Sequence, residues 1–275
     1  MNGKIRMANT VQTEIEGNIA HLRINRPHAR NALSQELITE LSAEFKSIDS
    51  NDDIHVVVLS GVGDHFGAGY DLNVDWCNLY GKRNPVGTRR MLSECVEFEM
   101  NPWRCSKPVI AMVRGYCLAG SCELSMMCCI TYASDTARFG EPEIKFSAVP
   151  PALVMPWVVG LRHARELLYS GDVIDAQEAL RIGLVNKVFP DDELEAETMK
   201  YARRVAAMDP VVVQLMKACI NQTAEITGFS QSLQYAIENG AIAEATETDN
   251  YIQFMEVAQR EGLTAAIRWR EAKFG

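Results

Sequence analysis

Along the first sixty residues the apolar positions change period twice. Val11 to Asn25 alternate around Glu16-Gly17-Asn18, a Gly/Asn tip that predicts two short strands joined as a hairpin. After Arg26-Pro27 the spacing becomes helical: Leu37, Ile38, Leu41, Phe45 and Ile48 share one face behind Ser34, a capping residue, and the pattern ends near Asp49. His55 to Gly61 then carries three valines and a leucine without a polar break, as expected for a strand covered on both faces.

The alternation continues. Thr88 to Met100 suits a helix, Pro108 to Val113 a buried strand, Ser121 to Cys129 a short apolar helix, and Ile130 to Ala133 another strand. Asp175 with Glu178 three residues on reads as a capped helix start, stopping at Gly183, and Val185 to Val188 as a further short strand. From Leu194 strand signals cease, and helical patterns broken at Pro210, Gly228 and Gly262 run to the end. The pattern predicts an α/β core over residues 1–200 and a helical region over 201–275 serving oligomerisation.

Composition narrows the function classes. Apolar residues are 47% and charged residues 23% of 275, the balance of a folded globular chain. A net charge of -9 without any Lys/Arg run argues against nucleic acid as a partner, although a phosphate-bearing small molecule needs only a few local cations or a helix N-terminus. Eight cysteines show no CxxC or Cys/His zinc spacing, so no metal site is expected. Four of them (Cys117, Cys122, Cys128 and Cys129) crowd an apolar stretch as small buried hydrophobes, which implies reduced thiols and a cytoplasmic location. With no apolar leader and no run long enough to span a bilayer, no membrane association is expected.

Two Gly-rich turns follow buried strands: His65-Phe-Gly-Ala-Gly-Tyr-Asp-Leu72 and Gly115-Tyr-Cys-Leu-Ala-Gly-Ser-Cys-Glu123. Glycine lets backbone approach a ligand, and the second turn opens a helix whose first N–H groups lack acceptors. Each alone is a common packing device of α/β proteins. Two carboxylates in apolar company, Glu123 and Glu143, make a stronger signal, because a buried carboxylate is costly unless it is used or satisfied. Glu141, two residues earlier, reads as a solvated loop residue.

With these residues in place the chain resembles the crotonase (enoyl-CoA hydratase/isomerase) superfamily. The matching motifs are Arg26-Pro27 with Asn31-Ala32-Leu33, Phe66 with Ala68-Gly69 and Asp71-Leu72, Gly120 with Cys122-Glu123, Phe139-Gly140 with Pro142-Glu143-Ile144, Asp175-Ala176 through Gly183-Leu184-Val185, and Glu261-Gly262. The resemblance implies a spiral of ββα units with a helical C-terminal trimerisation region, a homotrimer or dimer of trimers, and an acyl-CoA substrate handled without a separate cofactor. It implies that the backbone N–H groups of Tyr70 and Gly120 form an oxyanion hole and that Glu123 and Glu143 are the catalytic carboxylates, all converging on one buried site. It places Arg30, Ala68, Gly69, Asp71, Leu72, Pro151 and Trp157 at the substrate.

Two departures stand out. Where the hydratases resembled continue past the second glutamate with Pro-Gly-Ala-Gly-Gly, this chain has Pro150-Pro151-Ala152-Leu153-Val154, so Pro151 removes an N–H that lies near the attacking water in that family. Leu153, Met155 and Trp157 are expected to reshape the acyl pocket. In the last helix Arg268-Trp269-Arg270 stands where the family often has Glu-Lys-Arg. The expected activity is hydration of a 2-enoyl-CoA. Isomerisation by Glu143 alone is the nearest rival, a non-catalytic acyl-CoA-binding scaffold a more distant one, and no histidine sits in a context suited to a Ser/His/Asp hydrolase.

Overall fold

The computed structural model describes residues 4–74 and 84–273; Cys77 lies outside the described residues. Among the described residues the main sheet has seven strands in the order β1-β2-β3-β4-β5-β7-β10, where β1 is Lys4–Met7, β2 Val11–Glu16, β3 Ile19–Ile24, β4 Val56–Gly61, β5 Val109–Val113, β7 Ile130–Ser134 and β10 Lys187–Phe189. The first three strands pair antiparallel and the pairs from β3 onward are parallel. A smaller sheet stacks β6 (Tyr116–Leu118), β8 (Arg138–Gly140) and β9 (Ile174–Asp175).

Both faces of the parallel strands are covered, which explains their unbroken apolar sequence. Val57, Leu59, Val109, Ala111 and Val113 face the main core, where Leu37, Leu41, Phe45 and Ile48 of helix α1 (Gln35–Asp49) also lie. Val56, Val58, Ile110 and Met112 point the other way, onto Leu194, Met199 and Ala202 of a later helix, Leu194–Ala206. That later helix therefore belongs to the core layering, and residue 200, where the sequence suggested a boundary, falls inside it.

Several element ends differ from the sequence reading, each for a local reason. Helix α2 spans Pro85–Glu99 and starts three residues early, because Asn84 caps it through Gly87 N–H and Pro85 fits the first turn. Helix α3 is Gly120–Met126; chain reversal at Met127 to Cys129 leaves Cys128 half-buried and Cys129 exposed, against the expectation that both are buried. β10 begins at Lys187 because Asn186 first bonds back across the neighbouring strand, its side-chain Oδ1 accepting from Thr131 N–H. α4 (Met155–Ser170), which follows the proline-rich stretch, and the small sheet carry no clear sequence signal.

After α5 (Ala176–Arg181, capped by Asp175) and the sheet-covering helix, now α6 (Leu194–Ala206), come α7 (Pro210–Ile226), α8 (Phe229–Ala245), α9 (Asp249–Glu261) and α10 (Leu263–Glu271). They break at Pro210, Gly228 and Gly262 as the sequence indicates, and once more at Thr246 to Thr248. No helix among the described residues is long and apolar enough to cross a membrane.

Candidate active site

The first motif is a brace. Asn31 is wholly buried, and its side chain accepts the Arg26 N–H (2.9 Å) while donating to the carbonyls of Val62 (3.0 Å) and His65 (2.6 Å). Its φ of 56° suits asparagine better than most residues. The Arg26 guanidinium bonds the Ala32 carbonyl and pairs with Asp71 at 2.9 Å, and Asp71 also accepts the Asn73 N–H. Thus Asp71, one of the expected substrate residues, is engaged in holding the 66–72 turn against the 26–33 segment.

The two Gly-rich turns are locked together. Gly69 N–H donates to Ser121 Oγ at 3.1 Å, and with φ of 86° Gly69 packs so close to Ala119 that an added Cβ would lie 2.5 Å from the alanine methyl. A parallel bridge sets the direction of the amides: Leu33 N–H donates to the Gly69 carbonyl and Asp71 N–H to the Leu33 carbonyl, which turns the intervening Tyr70 N–H to the opposite side. Gly120 is the first residue of α3, so its N–H has no intrahelical acceptor. Ala119 just before it holds φ 53°, ψ -137°, a conformation costly outside glycine and imposed by the turn. The Tyr70 ring lies on Gly120, where an added Cβ would come 2.4 Å from Cε2. These contacts bring the two turns, and with them the two backbone positions, side by side.

Glu123 follows in the first turn of α3 and is wholly buried, with Oε1 accepting the Ala152 N–H at 2.7 Å and Oε2 given no donor by the described residues. Pro151 has lost its own N–H, yet the next residue grips the carboxyl. Glu143 sits in a 3-10 turn, Pro142–Phe146, after β8; its Oε2 is buried with no donor among the described residues. Burial pushes the Glu143 carboxyl up to about 7. Burial also holds Glu123 well above the usual carboxylate range, reinforced by the negative charges of Glu99, Glu141 and Glu143. The two expected catalytic carboxylates thus share one electrostatic neighbourhood.

That neighbourhood holds two more acids than the sequence suggested. Glu141 is a correction: it is 1% exposed, not a solvated loop residue, and neither carboxyl oxygen has a donor among the described residues. Burial, with Cys122 and Glu143 beside it, raises its pKa strongly. Glu99, the last residue of α2, lies outside every sequence motif, although Leu92, Cys95, Val96 and Glu99 fall at helical spacing on one face and all four are buried. That periodicity was the available signal.

The remaining expected residues spread outward. Ala68 N–H donates to the Arg30 carbonyl, tying the turn to Arg30, whose guanidinium stands over the Tyr116 ring at 5.8 Å. Arg30 lines a cleft of about 550 Å³ together with Arg114 and Arg138. Leu72 is 61% exposed. Pro151 is buried beside Ala152, and Met155 is buried in the main core. Trp157 turns to the C-terminal helices, donating its indole N–H to Ser232 Oγ (3.0 Å) and meeting Phe229 edge-on. Arg270 bonds the Asn250 carbonyl and lies over Phe254, so it is embedded between α9 and α10.

Known proteins are similar to this chain along nearly its whole length. The chain is 33% identical over 271 residues to the crotonyl-CoA hydratase of Syntrophomonas wolfei, covering 95% of this chain and 96% of that protein. It is 32% identical to the short-chain-enoyl-CoA hydratase of Clostridium acetobutylicum, with 96% of each covered. A solved enoyl-CoA hydratase/isomerase from Xanthobacter autotrophicus Py2 superposes with a TM-score of 0.92 at 37% identity, covering 98% of this chain and all of that one. Residues 14–265 match the family model described as enoyl-CoA hydratase/isomerase. With fold, motif order and full-length similarity in agreement, the chain belongs to the enoyl-CoA hydratase/isomerase family of the crotonase superfamily.

Proposed function

We propose that this protein is an enoyl-CoA hydratase, converting a 2-enoyl-CoA to its 3-hydroxyacyl-CoA. The observation that carries the reading is the meeting of two buried carboxyls, Glu123 and Glu143, with the locked turns that present the Tyr70 and Gly120 N–H groups. The names of the similar hydratases support the same direction.

Hydration joins water's oxygen to the β carbon while the double-bond electrons move onto the thioester oxygen as an enolate. The two N–H groups stabilise that oxyanion, each donor being worth about 3 kcal/mol. One carboxylate takes the proton that water gives up. The other carboxyl delivers a proton to the α carbon as the enolate collapses. Both groups must stand near neutrality in complementary protonation states, which the burial of the pair favours. The side chains and backbone carry every step of this scheme without a cofactor.

Mass analysis of the product formed from crotonyl-CoA in deuterated water enriched in the heavy oxygen isotope tests the reading. Hydration installs one heavy oxygen at the β carbon and one deuterium at the α carbon. A product that gains deuterium but no heavy oxygen would overturn it in favour of isomerisation.

The reading includes a homotrimer or dimer of trimers assembled through the C-terminal helices. Along α7 the apolar residues Val211, Val212, Leu215, Met216 and Ile220 are 53–62% exposed, while Lys217 anchors the opposite side by donating to three carbonyls, of Pro102, Cys105 and Lys107. An apolar stripe of this length is the composition of a lasting subunit interface. Light scattering behind a sizing column at micromolar concentration is expected to give at least three times the 30.6 kDa chain mass. A 30.6 kDa particle with full activity counts against it.

A further inference from the structure

Glu99 ends α2 with its side chain wholly buried. Its Oε1 accepts the Tyr70 hydroxyl at 2.6 Å and stands 3.0 Å from where a Cβ on Gly120 would be, so the carboxyl is lodged against the first turn of α3. Its charge acts on the Glu123 carboxyl, which rises from that same first turn. On each of the two glutamates the second oxygen, Oε2, is buried with no donor among the described residues. Ionised carboxylates only accept, so two of them side by side cannot satisfy each other. A single proton held between the two carboxyls supplies a donor that the pair otherwise lacks.

We propose that Glu99 is a positioning residue for the acid–base machinery: it shares one proton with Glu123 and, anchored by the Tyr70 hydroxyl, fixes that carboxyl's orientation and charge state. This rests on the hydratase reading for its catalytic meaning, though not for the proton itself. The groups facing the pair are Tyr70 from the 66–72 turn, Cys95 from the preceding turn of α2, and Glu141 and Glu143 from the segment after β8, with Glu244 of α8 acting on Cys95. Burial raises Glu99 to about 8. Two interacting acids of this kind titrate as a unit, in two steps that belong to the pair. Glu123 is thus held by the Ala152 N–H on Oε1 and, on this proposal, by the proton it shares with Glu99.

The test compares wild type with Glu99→Gln in two readouts. The amide keeps the shape, still accepts the Tyr70 hydroxyl, and donates permanently to Glu123, but it removes both the exchangeable proton and the neighbouring charge. For crotonyl-CoA, one limb of the kcat profile is expected to move by about one pH unit or more toward acid, with KM changed by less than about threefold. Infrared difference spectra across the same pH range read the protonated-carboxyl stretch directly, and its titration is expected to shift in the same direction. This second readout needs no turnover, so a protein that fails to hydrate crotonyl-CoA can still confirm or refute the shared proton. A folded Glu99→Gln protein whose profile and infrared titration both superimpose on wild type overturns the proposal and leaves Glu99 as a structural anchor for Tyr70. Should Glu99→Gln not fold, Glu123→Gln read by infrared replaces it: coupling is reciprocal, so Glu99 must then titrate at lower pH by about one unit, and an unmoved titration overturns the proposal equally.

Discussion

Glu123→Gln and Glu143→Gln are each expected to lower kcat for crotonyl-CoA hydration by roughly 10²–10⁴-fold, since on the proposed scheme each removes one proton-transfer role. Glutamine matches glutamate in shape, and at position 123 its oxygen can still accept the Ala152 N–H, so the fold survives. Stability supplies an independent sign. Burial raises the Glu143 pKa above its ordinary value, so the folded protein binds more protons than the unfolded chain between about pH 4.5 and about pH 7. Its contribution to stability therefore falls as pH rises through that window and is least favourable above it. Glu143→Gln removes this loss, and denaturant unfolding at pH 8 is expected to show the variant more stable by up to about 3 kcal/mol, the gain vanishing below pH 4.5. An inactive variant that is also more stable at alkaline pH identifies a group kept for chemistry at the expense of the fold. If Glu123→Gln retained most of its activity while Glu143→Gln lost it, one base would suffice and the hydratase scheme would fail.

The elements read from the sequence are those whose burial is carried by their own period. The hairpin around Gly17, α1 behind its Ser34 cap and the Val56–Leu59 strand were legible because one residue's environment repeats at the next expected position. Glu123 and Glu143 were legible as acids in apolar or motif settings. The small sheet was not: β6, β8 and β9 are two or three residues long, shaped by pairing with distant segments rather than by any local pattern. Glu141 was misread because its neighbours Gly140 and Pro142 look like an exposed turn, whereas the turn is folded into the site by β8 pairing with β6 and β9. Glu99 shows the complementary failure. Its helical face was plain, but an acid at the last position of a helix is ordinarily a frayed surface residue, and only the approach of Tyr70 and α3 reveals it as buried.

Gly120→Ala is expected to lower kcat by at least about 10²-fold, because the site tolerates no atom there without moving a working part. The added methyl would lie 2.4 Å and 2.9 Å from Cε2 and Cδ2 of Tyr70 and 3.0 Å from Oε1 of Glu99. An exposed ring would swing aside at little cost. This one is tethered by its hydroxyl to Glu99, which is itself packed against Glu123, so relief must come from breaking that bond or from shifting the first turn of α3. A shift of the turn displaces the Gly120 N–H from the proposed oxyanion position and carries Glu123, three residues on, with it. A double-mutant cycle separates the two routes. If the ring is what the methyl strikes, Tyr70→Ala in the Gly120→Ala background recovers activity relative to Gly120→Ala alone, since the proposed oxyanion donor at position 70 is a backbone group that survives the change. If the helix start itself has moved, the second substitution recovers nothing. A Gly120→Ala enzyme with wild-type kcat, measured under saturating crotonyl-CoA, would show that the N–H at position 120 plays no part in the reaction.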